Sequence, residues 1–393
     1  MKQSVAVLFG GMSVEHEVSV ISAIQAIRSM DTEKYDIVPV YMTKQNDMYV
    51  GPGIGTIENY KDIPALLKNS VRVILVREEG RVYLTEYPAK RFGGKKPIPV
   101  DIAFPIVHGT NVEDGTLQGY LKTLGLPFVG CDVTASAVGM DKFIQKAILK
   151  EAQVPVLDAK LYCLSDYAQL DTLLADVEQT FSYPVIVKPV NLGSSVGITV
   201  AHDRTSLTSA VDDGFRYATK VLVEHAISEL REINCSVLGD ENDAIASECE
   251  EPLHSREILS YEDKYVSGSK KGGAKGMASV SRKIPAELSP EKREEIRELA
   301  VRSFKALGCN GVARIDFMID ESTGALYFNE INTIPGSLAF YLWEPVGIPY
   351  KELLTRMIDL ALKRERERDA LTFSFDTNIL KSATFGPKGG SKV

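Results

Sequence analysis

The stretch Gly311-Val-Ala-Arg-Ile-Asp-Phe-Met-Ile-Asp320, with Leu326-Tyr-Phe-Asn-Glu-Ile-Asn-Thr-Ile-Pro-Gly336 after it, decides the fold of this chain. The two stretches are predicted to be strands joined by a turn at residues 321–324. Because successive side chains of a strand point to opposite faces, Arg314 and Asp316 are expected on one face of the first strand.

The second strand adds Glu330 and Asn332, which also share one face. Pairing the strands would bring three oxygen ligands together beside the guanidinium of Arg314. Magnesium prefers oxygen ligands and usually keeps substrate phosphates in its remaining coordination positions. The pattern therefore predicts a site for a metal-bound nucleotide.

Composition limits the class of protein. A chain of 393 residues suggests two or three domains, and 44% hydrophobic and 25% charged residues are ordinary for a soluble globular protein. The net charge of −8 argues against a general nucleic-acid binder, and no apolar run reaches the roughly 18 residues that span a bilayer. The first apolar run is short enough to be a strand, not a signal peptide.

Cysteine usage favours the cytoplasm. The five cysteines are scattered and none forms a CxxC pair. Reduced structural thiols are therefore preferred over a zinc site or a disulfide framework. We expect a cytoplasmic protein with no nucleic-acid and no membrane partner.

The first part of the chain has the pattern of a doubly wound α/β domain. A strand at Val5–Phe9 meets a glycine-rich turn, a helix over Glu15–Met30 and a second strand at Ile37–Tyr41. A third strand is predicted at Ile102–Val107, and the domain is expected to end near Gly130.

The middle of the chain predicts a small antiparallel domain. A helix at Asp141–Glu151 precedes strands at Val185–Pro189, Gly197–Ala201 and Val221–His225, and a strand at Ile233–Leu238 begins another sheet.

The last third predicts two helices and a tail. Ser289-Pro290 is typical of a helix start, because serine caps the helix and proline suits its first position. Another helix is expected at Tyr350–Leu362, continuing into the charged run Lys363–Asp369. The Gly- and Lys-rich tail from Phe385 is expected to be disordered.

Three polar loops follow predicted strands. The loop after Lys188, up to Gly197, could hold phosphates through backbone N–H groups; an ordinary hairpin turn is about equally favoured, and no Walker A motif occurs. Glu15 lies at the first strand–helix turn, which lacks the full GxGxxG dinucleotide pattern. His108 opens the loop to Gly119; taken alone, such a histidine is more often structural than catalytic.

A long Gly/Ser/Lys stretch at residues 266–278 favours a lid or binding loop. Glu224 ends a strand that could face an adenine, and Glu232 could serve a ribose. Two solvated acids are an equally good interpretation without further context.

Taken together, these segments resemble the D-alanine–D-alanine ligase family of the ATP-grasp superfamily. The resemblance runs from Val5 to about Leu362 and depends on the pairing of HGTNVEDGTLQG with R-x-D and E-x-N-T-x-P-G. It implies an ATP-grasp fold, of class α/β and α+β, in which antiparallel sheets of two α+β domains hold ATP. The implied parts are an N-terminal α/β domain, a central ATP-grasp domain, a C-terminal ATP-grasp domain and a partly disordered tail, at residues 1–130, 131–227, 228–365 and 366–393.

The resemblance also implies the chemistry. The carboxylate of one D-alanine attacks the γ-phosphate of ATP, giving an acyl phosphate and ADP, and the amine of a second D-alanine displaces phosphate. Two Mg²⁺ ions, with Mn²⁺ as a substitute, would assist, and a cytoplasmic homodimer making peptidoglycan precursor is implied.

Site residues follow from the same motifs. The residues that match first-substrate contacts are Glu15, His108, Ser194 and Tyr265. Those that match ATP contacts are Lys142, Lys188, Ser195, Glu224, Glu232 and Lys264. Asp316, Glu330 and Asn332 match metal ligands, and Arg314 with the backbone N–H of Gly336 matches the group that stabilises the tetrahedral oxyanion.

Three features depart from the family pattern. Val112 stands where glycine is usual, and the lid after Tyr265 is longer and more basic. Tyr341 stands where a serine usually binds the second substrate's carboxylate, so Ser337 or a lid lysine is an alternative anchor.

Other functions remain open. A related ligase with another acceptor, such as D-serine, D-lactate or another amino acid, is the main rival; Tyr265 disfavours D-lactate. A non-catalytic nucleotide-binding paralogue is disfavoured by Arg314 and the three metal-ligand candidates, and a nicotinamide oxidoreductase is a distant third.

Overall fold

A computed structural model describes residues 2–90, 93–193, 197–253 and 282–373. These residues form three sheets, each packed against helices. The predicted combination of one α/β domain with two α+β domains is confirmed by this arrangement. No helix among the described residues is long and apolar enough to cross a membrane.

The first sheet contains the predicted parallel strands. Strands β1 (Gln3–Gly10), β2 (Tyr35–Met42) and β7 (Ile102–Ile106) pair in parallel in the order β2-β1-β7. Helix α1 (His16–Ser29) packs against them. Their carboxyl ends place the loops of Glu15 and His108 side by side, as ligand-binding loops lie in open α/β sheets.

Four antiparallel strands extend this sheet and were not predicted. They are β3 (Met48–Val50), β4 (Val71–Glu78), β5 (Arg81–Glu86) and β6 (Ile98–Val100), in the order β6-β5-β4-β3-β2. Two of them have only three residues, too few to establish an alternating pattern. The sheet is therefore mixed, with a doubly wound portion of three strands.

The second sheet confirms the predicted antiparallel strands. It contains β8 (Ala159–Cys163), β9 (Val185–Pro189), β10 (Thr199–Ala201) and β11 (Lys220–His225), in the order β10-β9-β11-β8. The strand β8 at its edge was missed. This sheet has its own hydrophobic core.

The third sheet carries the hairpin that decides the fold. Its order is β14-β13-β12-β15-β16. The strands are β12 (Leu230–Gly239), β13 (Ala244–Pro252), β14 (Arg282–Lys283), β15 (Gly311–Asp320) and β16 (Ala325–Asn332).

The remaining α-helices complete the layers. They are α2 (Ile63–Lys68), α3 (Thr116–Leu124), α4 (Val133–Met140), α5 (Lys142–Glu151), α6 (Leu164–Tyr167), α7 (Leu170–Thr180), α8 (Arg204–Tyr217), α9 (Pro290–Ala306) and α10 (Tyr350–Asp369). The predicted cap is confirmed, since Ser289 Oγ accepts a hydrogen bond from Lys292 N at 3.2 Å.

The C-terminal helix α10 joins two parts of the molecule. Leu353, Leu354 and Ile358 are buried in the same core as the first sheet, while the helix also contacts β15. The helix extends to Asp369, as the charged run predicted. The prediction for the tail from Phe385 lies outside the described residues.

Candidate active site

The β15–β16 hairpin brings the predicted polar residues together. Arg314 is directly opposite Asn332, and Asp316 is directly opposite Glu330. Arg314 binds Asp316 through two hydrogen bonds, Nε–Oδ1 and Nη2–Oδ2, each 2.7 Å long. Burial disfavours the charged guanidinium, but the charge of Asp316 outweighs burial and raises the pKa of Arg314.

A cation would stabilise the carboxylate of Asp316, because its surroundings disfavour the negative charge. Burial raises the pKa of Asp316 to about 6; Arg314 opposes this rise, while the negative charges of Glu330 and Glu232 add to it. Asn332 Nδ2 donates to Asp316 Oδ2 at 3.0 Å.

These donors fit a magnesium ion that also binds a ligand from outside the chain. Asp316 and Glu330 supply carboxylate oxygens and Asn332 an amide oxygen, the hard donors that magnesium prefers. In the described part of the chain, no three His, Cys, Asp or Glu side chains cluster as a metal site. Nucleotide phosphates are the ligands that would complete the coordination.

Two further polar residues, which the sequence did not single out, extend the same row across the sheet. Glu250 on β13 pairs with Asn234 on β12, and Asn234 pairs with Asp316. Both side chains are buried. The available signal was the spacing of two residues between Glu232 and Asn234 at the start of the strand predicted at Ile233–Leu238.

Lysines face this row from the central domain. Lys142, the first residue of α5, lies 3.6 Å from Glu330 Oε2 and donates to Leu192 O at 2.7 Å. The loop that follows Lys188 therefore lies beside the acidic hairpin, which brings the two predicted nucleotide-binding elements together.

Lys188 and Glu224 form a buried ion pair that includes a third residue, Lys146. Glu224 accepts from Lys188 through Oε1 and lies 2.8 Å from Lys146 Nζ through Oε2. Burial alone would raise the pKa of Glu224, but the two lysines outweigh it and lower the pKa. Lys146 was missed, although its position four residues after Lys142 places both on one helix face. The adenine contact assigned to Glu224 stays a prediction.

Glu15 lies between two domains. A Cβ atom added at Gly109 would lie 3.2 Å from Glu15 Oε2, and one added at Gly193 would lie 3.6 Å from the same atom. A side chain at Gly109 would crowd the carboxylate, whereas one at Gly193 would be in ordinary van der Waals contact with it. The acid predicted to hold the first substrate's ammonium therefore lies beside the loop after Lys188.

His108 connects the first domain to the segment after β16. Its Nδ1 donates to Ile334 O at 2.7 Å, so its Nε2 accepts from Ser22 Oγ at 2.9 Å in the neutral form. Burial lowers the pKa of His108 and outweighs the charge of Glu15. Ser22 Oγ in turn accepts from Ser337 N at 3.0 Å.

Glu113, also missed by the sequence reasoning, makes a parallel connection. Its carboxyl group accepts from Gly109 N at 2.7 Å and from Ile334 N at 3.3 Å. Burial, helped by the charge of Glu15, raises the pKa of Glu113 to about 8. The departure at Val112 is accommodated, because its side chain is buried in the core of the first sheet.

The segment after Gly336 contains a left-handed turn. Ser337, Leu338 and Ala339 have φ values of 51°, 54° and 51°, a conformation that costs a non-glycine residue about 1–2 kcal/mol. Ser22 and the hydrogen bond from Leu338 N to Pro335 O at 2.8 Å hold it. The backbone at Gly336 is thus fixed by residues from two domains.

Tyr341 contacts the Glu250 end of the polar row. Its hydroxyl donates to Glu250 Oε1 at 3.2 Å, and Arg282 Cζ lies 4.1 Å from its ring centroid. Burial, and then the charge of Glu250, raises the pKa of Tyr341. The sequence offered no signal for Arg282.

The remaining predicted site residues are Glu232, which the structure describes, and four residues that it does not describe. Glu232 shares a strand with Asn234 and acts on Asp316 as described above. Four residues, Ser194, Ser195, Lys264 and Tyr265, lie outside the described residues, so their assigned contacts stay predictions.

Comparison with known proteins agrees with this geometry. The family model for the D-ala D-ala ligase N-terminus matches residues 4–131, and that for the C-terminus matches residues 148–359. A D-alanine--D-alanine ligase of Caldicellulosiruptor bescii is 40% identical, over 95% of this chain and 99% of the relative. One from a Thermoanaerobacter species is 41% identical, over 93% and 98%.

Solved structures are similar over the same length. The VanG D-Ala:D-Ser ligase of Enterococcus faecalis aligns with a TM-score of 0.77 and 31% identity, over 92% of this chain and 100% of the other. The D-alanine-D-alanine ligase of Coxiella burnetii aligns with a TM-score of 0.76 and 29% identity, over 94% and 97%.

Two antiparallel sheets, with buried Lys188 on one sheet and Lys142 on helix α5 facing an acidic hairpin on the other sheet, define an ATP-grasp enzyme. The matched family models and relatives identify the family within this class: this chain belongs to the D-alanine–D-alanine ligase family.

Proposed function

We propose that this protein is an ATP-dependent ligase that joins two D-alanines and releases ADP and phosphate. The observation that carries the proposal is the in-register hairpin of Arg314, Asp316, Glu330 and Asn332 facing Lys142. The product would serve peptidoglycan precursor synthesis, in the cytoplasm and as a homodimer.

The first step transfers a phosphoryl group. The donor carboxylate attacks the γ-phosphate of ATP, forming D-alanyl phosphate and ADP. Lys142 and Lys188, with Ser195 and Lys264, hold the phosphates, while Glu224 and Glu232 contact adenosine. Phosphoryl transfer needs positioning and charge neutralisation more than a covalent protein group.

Asp316, Glu330 and Asn332 would hold two Mg²⁺ ions, for which Mn²⁺ can substitute. When bound, these ions neutralise charge on the transferring phosphoryl group. Glu330 would be the residue that serves both ions, because a carboxylate can bind two cations, whereas both carboxylate oxygens of Asp316 accept hydrogen bonds from Arg314.

The second step forms the amide bond. The acceptor amine attacks the carbonyl carbon of the acyl phosphate, and the resulting oxyanion is stabilised by Arg314 and by Gly336 N–H. Collapse of this oxyanion breaks the carbon–oxygen bond to phosphate, which leaves as the nitrogen loses a proton. Arginine suits this role because it stays charged and presents a rigid fork. Glu15, Ser194 and Tyr265 hold the donor, while buried neutral His108 fixes the segment that carries Gly336.

Product analysis tests the proposal. With ATP, Mg²⁺ and a panel of amino and hydroxy acids, D-alanine should give the largest phosphate release, with ADP and D-alanyl-D-alanine as products. AMP with pyrophosphate would contradict the proposal, because acyl phosphate chemistry cannot produce them.

A second candidate is a ligase that prefers D-serine as acceptor. Its support is Tyr341 at the position of the usual carboxylate-binding serine, together with the likeness to a D-Ala:D-Ser ligase. Equal amounts of D-alanine and D-serine in one reaction distinguish the candidates through the ratio of the two dipeptides.

A further inference from the structure

Tyr341 lies where the acceptor amino acid is expected, five residues after Gly336. Its hydroxyl is 3.2 Å from Glu250 Oε1. A phenol that donates to a buried carboxylate is poorly placed to donate to a second carboxylate. The group that binds the acceptor's carboxylate must therefore come from another residue.

Arg282 is packed against the face of the Tyr341 ring. The distance of 4.1 Å from its Cζ atom to the ring centroid is within the range of a cation–π contact. Arg282 Nη1 also donates to Glu250 Oε2 at 3.1 Å. Ring and carboxylate together set the plane of the guanidinium.

Glu250 is itself held firmly. Its Oε1 accepts from Asn234 Nδ2 at 3.0 Å as well as from Tyr341, and only 4% of its side chain is exposed. We call Asn234, Glu250, Arg282 and Tyr341 the Tyr341 cluster. Every contact within it orients Arg282.

The Tyr341 cluster adjoins the catalytic row. Glu250, Asn234 and Asp316 are consecutive partners across three neighbouring strands, and neighbouring strands lie about 4.8 Å apart. Tyr341 feels the charges of both Arg314 and Arg282. Arg282 thus contacts the Glu250 end of the row that leads through Asn234 to Asp316.

Arg314 and Arg282 bind different groups. Arg314 gives two hydrogen bonds to Asp316 and lies opposite Asn332, which commits it to the reacting centre. The negative charges of Glu250 and Asp316 would repel the carboxylate of an incoming acceptor, so a cation is needed to bind it there. Guanidinium has five N–H donors in a plane and binds carboxylates in a bidentate manner.

We propose that Arg282 binds the carboxylate of the acceptor amino acid and that Tyr341, through its ring, positions Arg282 for this role. The proposal rests on the ligase function proposed above. In this chain an arginine held on an aromatic ring replaces the serine hydroxyl usual in the family.

A purely structural Arg282, which only neutralises Glu250, would not distinguish acceptors by their carboxylate. D-Alaninamide is the probe, because it has the acceptor amine but an uncharged amide in place of the carboxylate. With D-alanine as donor, D-alanyl-D-alanine and D-alanyl-D-alaninamide form in one tube, and mass spectrometry gives their ratio.

We expect wild-type protein to prefer D-alanine, and Arg282→Gln to reduce this preference by about 10- to 100-fold, the loss of a charge-assisted bidentate contact. The acceptor KM should rise while the donor KM stays near its wild-type value. Tyr341→Phe keeps the ring and should change the preference less than about tenfold; Tyr341→Leu should change it more. Unchanged preference in Arg282→Gln would overturn the proposal.

Arg72→Gln is the matched control. Arg72 also lies over a tyrosine ring, that of Tyr87, and pairs with Asp47, but in the antiparallel extension of the first sheet. The Arg72→Gln substitution should leave the preference for D-alanine over D-alaninamide unchanged. If Arg282→Gln does not fold, Arg282→Lys replaces it, with an expected decrease of about threefold or more; no decrease would then overturn the proposal.

Wild-type measurements separate the two proposals. Absence of D-alanine-dependent phosphate release from wild-type protein would refute the ligase function itself. Normal release by wild-type protein, with an acceptor preference that does not depend on Arg282, would refute only the role of Arg282.

Discussion

The β15–β16 hairpin and the segment Pro335–Trp343 are neighbours in the chain, yet different partners hold them in place. Within the hairpin, Arg314, Asp316 and Asn332 bond to one another. The segment after it is held by Ser22, Glu250 and Ser236, residues about 90 to 315 positions away in the chain. Local pairing determines the first region, and contacts between distant parts of the chain determine the second.

The hairpin carries the residues proposed for metal binding and oxyanion stabilisation, whereas the segment Pro335–Trp343 carries Tyr341, which is proposed to position the acceptor-binding Arg282. Residues whose geometry is set by strand register should tolerate no change of chemical type. Residues that act through distant partners should have graded effects, because the remaining contacts still hold the turn. The following substitutions test that distinction, from the largest expected effect to the smallest.

Glu330→Gln should have the largest effect. The amide removes the negative charge expected to serve both cations, so turnover should fall to the background of the assay at any Mg²⁺ concentration. The exposed Glu321 in the turn of the same hairpin gives the control, Glu321→Gln, which should keep its activity. Near-native kcat of Glu330→Gln at saturating Mg²⁺ would remove Glu330 from the metal site.

Arg314→Lys should be nearly as damaging as Arg314→Ala, with kcat about 10²- to 10³-fold lower. Lysine keeps the charge but loses the planar fork. Arg231→Lys is the control, since Arg231 binds Glu251 in the same bidentate manner on the same sheet. A Lys variant with most of its activity would make Arg314 a structural partner of Asp316.

Ser22→Ala should lower kcat by about tenfold, because a small misplacement of reacting groups is costly, with little change in substrate KM. The substitution removes the acceptor of Ser337 N–H and the partner of His108 Nε2. Thermal unfolding will show a loss of stability of about 1–3 kcal/mol.

The control for Ser22 is Ser303→Ala in α9, which loses a buried hydrogen bond to Leu299 O at 2.7 Å but has no contact with the turn. It should lose stability and keep kcat. Equal kcat losses in the two variants would mean that Ser22 affects activity only through stability.

The smallest effect is a pH dependence of stability from Glu113, in metal-free protein. Because burial raises its pKa to about 8, folded protein binds this proton more tightly than unfolded protein. The stabilisation is complete below the ordinary pKa of 4.5 and is lost as the pH rises toward 8. Wild-type protein should therefore lose more free energy of unfolding across this interval than Glu113→Gln does; parallel curves from urea unfolding would contradict this.

The contrast between local pairing and distant contacts also explains which features could be predicted from the sequence. The strands at Val5–Phe9, Val185–Pro189 and Gly311–Asp320 were predicted because alternation and apolar runs are local signals. Pairing of the two strands then predicted that Arg314, Asp316, Glu330 and Asn332 converge, and the observed register places Asp316 opposite Glu330. The family resemblance supplied the remaining roles.

Other features had no local signal. Three left-handed residues in a row at Ser337–Ala339 follow no glycine or asparagine pattern, and they depend on Ser22 from another domain. Lys146 and Glu250 were missed because a charged residue is normally solvated, and only the fold reveals that these two are buried. Glu113 is half-buried, and only the fold reveals its hydrogen bonds with Gly109 N and Ile334 N.

The most direct test of the central claim uses D-alanine with ¹⁸O in its carboxylate. If the donor carboxylate attacks the γ-phosphate, the oxygen that bridges carbon and phosphorus leaves with phosphate. Each turnover should then transfer one ¹⁸O atom to inorganic phosphate and yield ADP. Phosphate without ¹⁸O, formed while the dipeptide accumulates, would contradict the acyl phosphate route and the roles assigned here to the hairpin and its lysines.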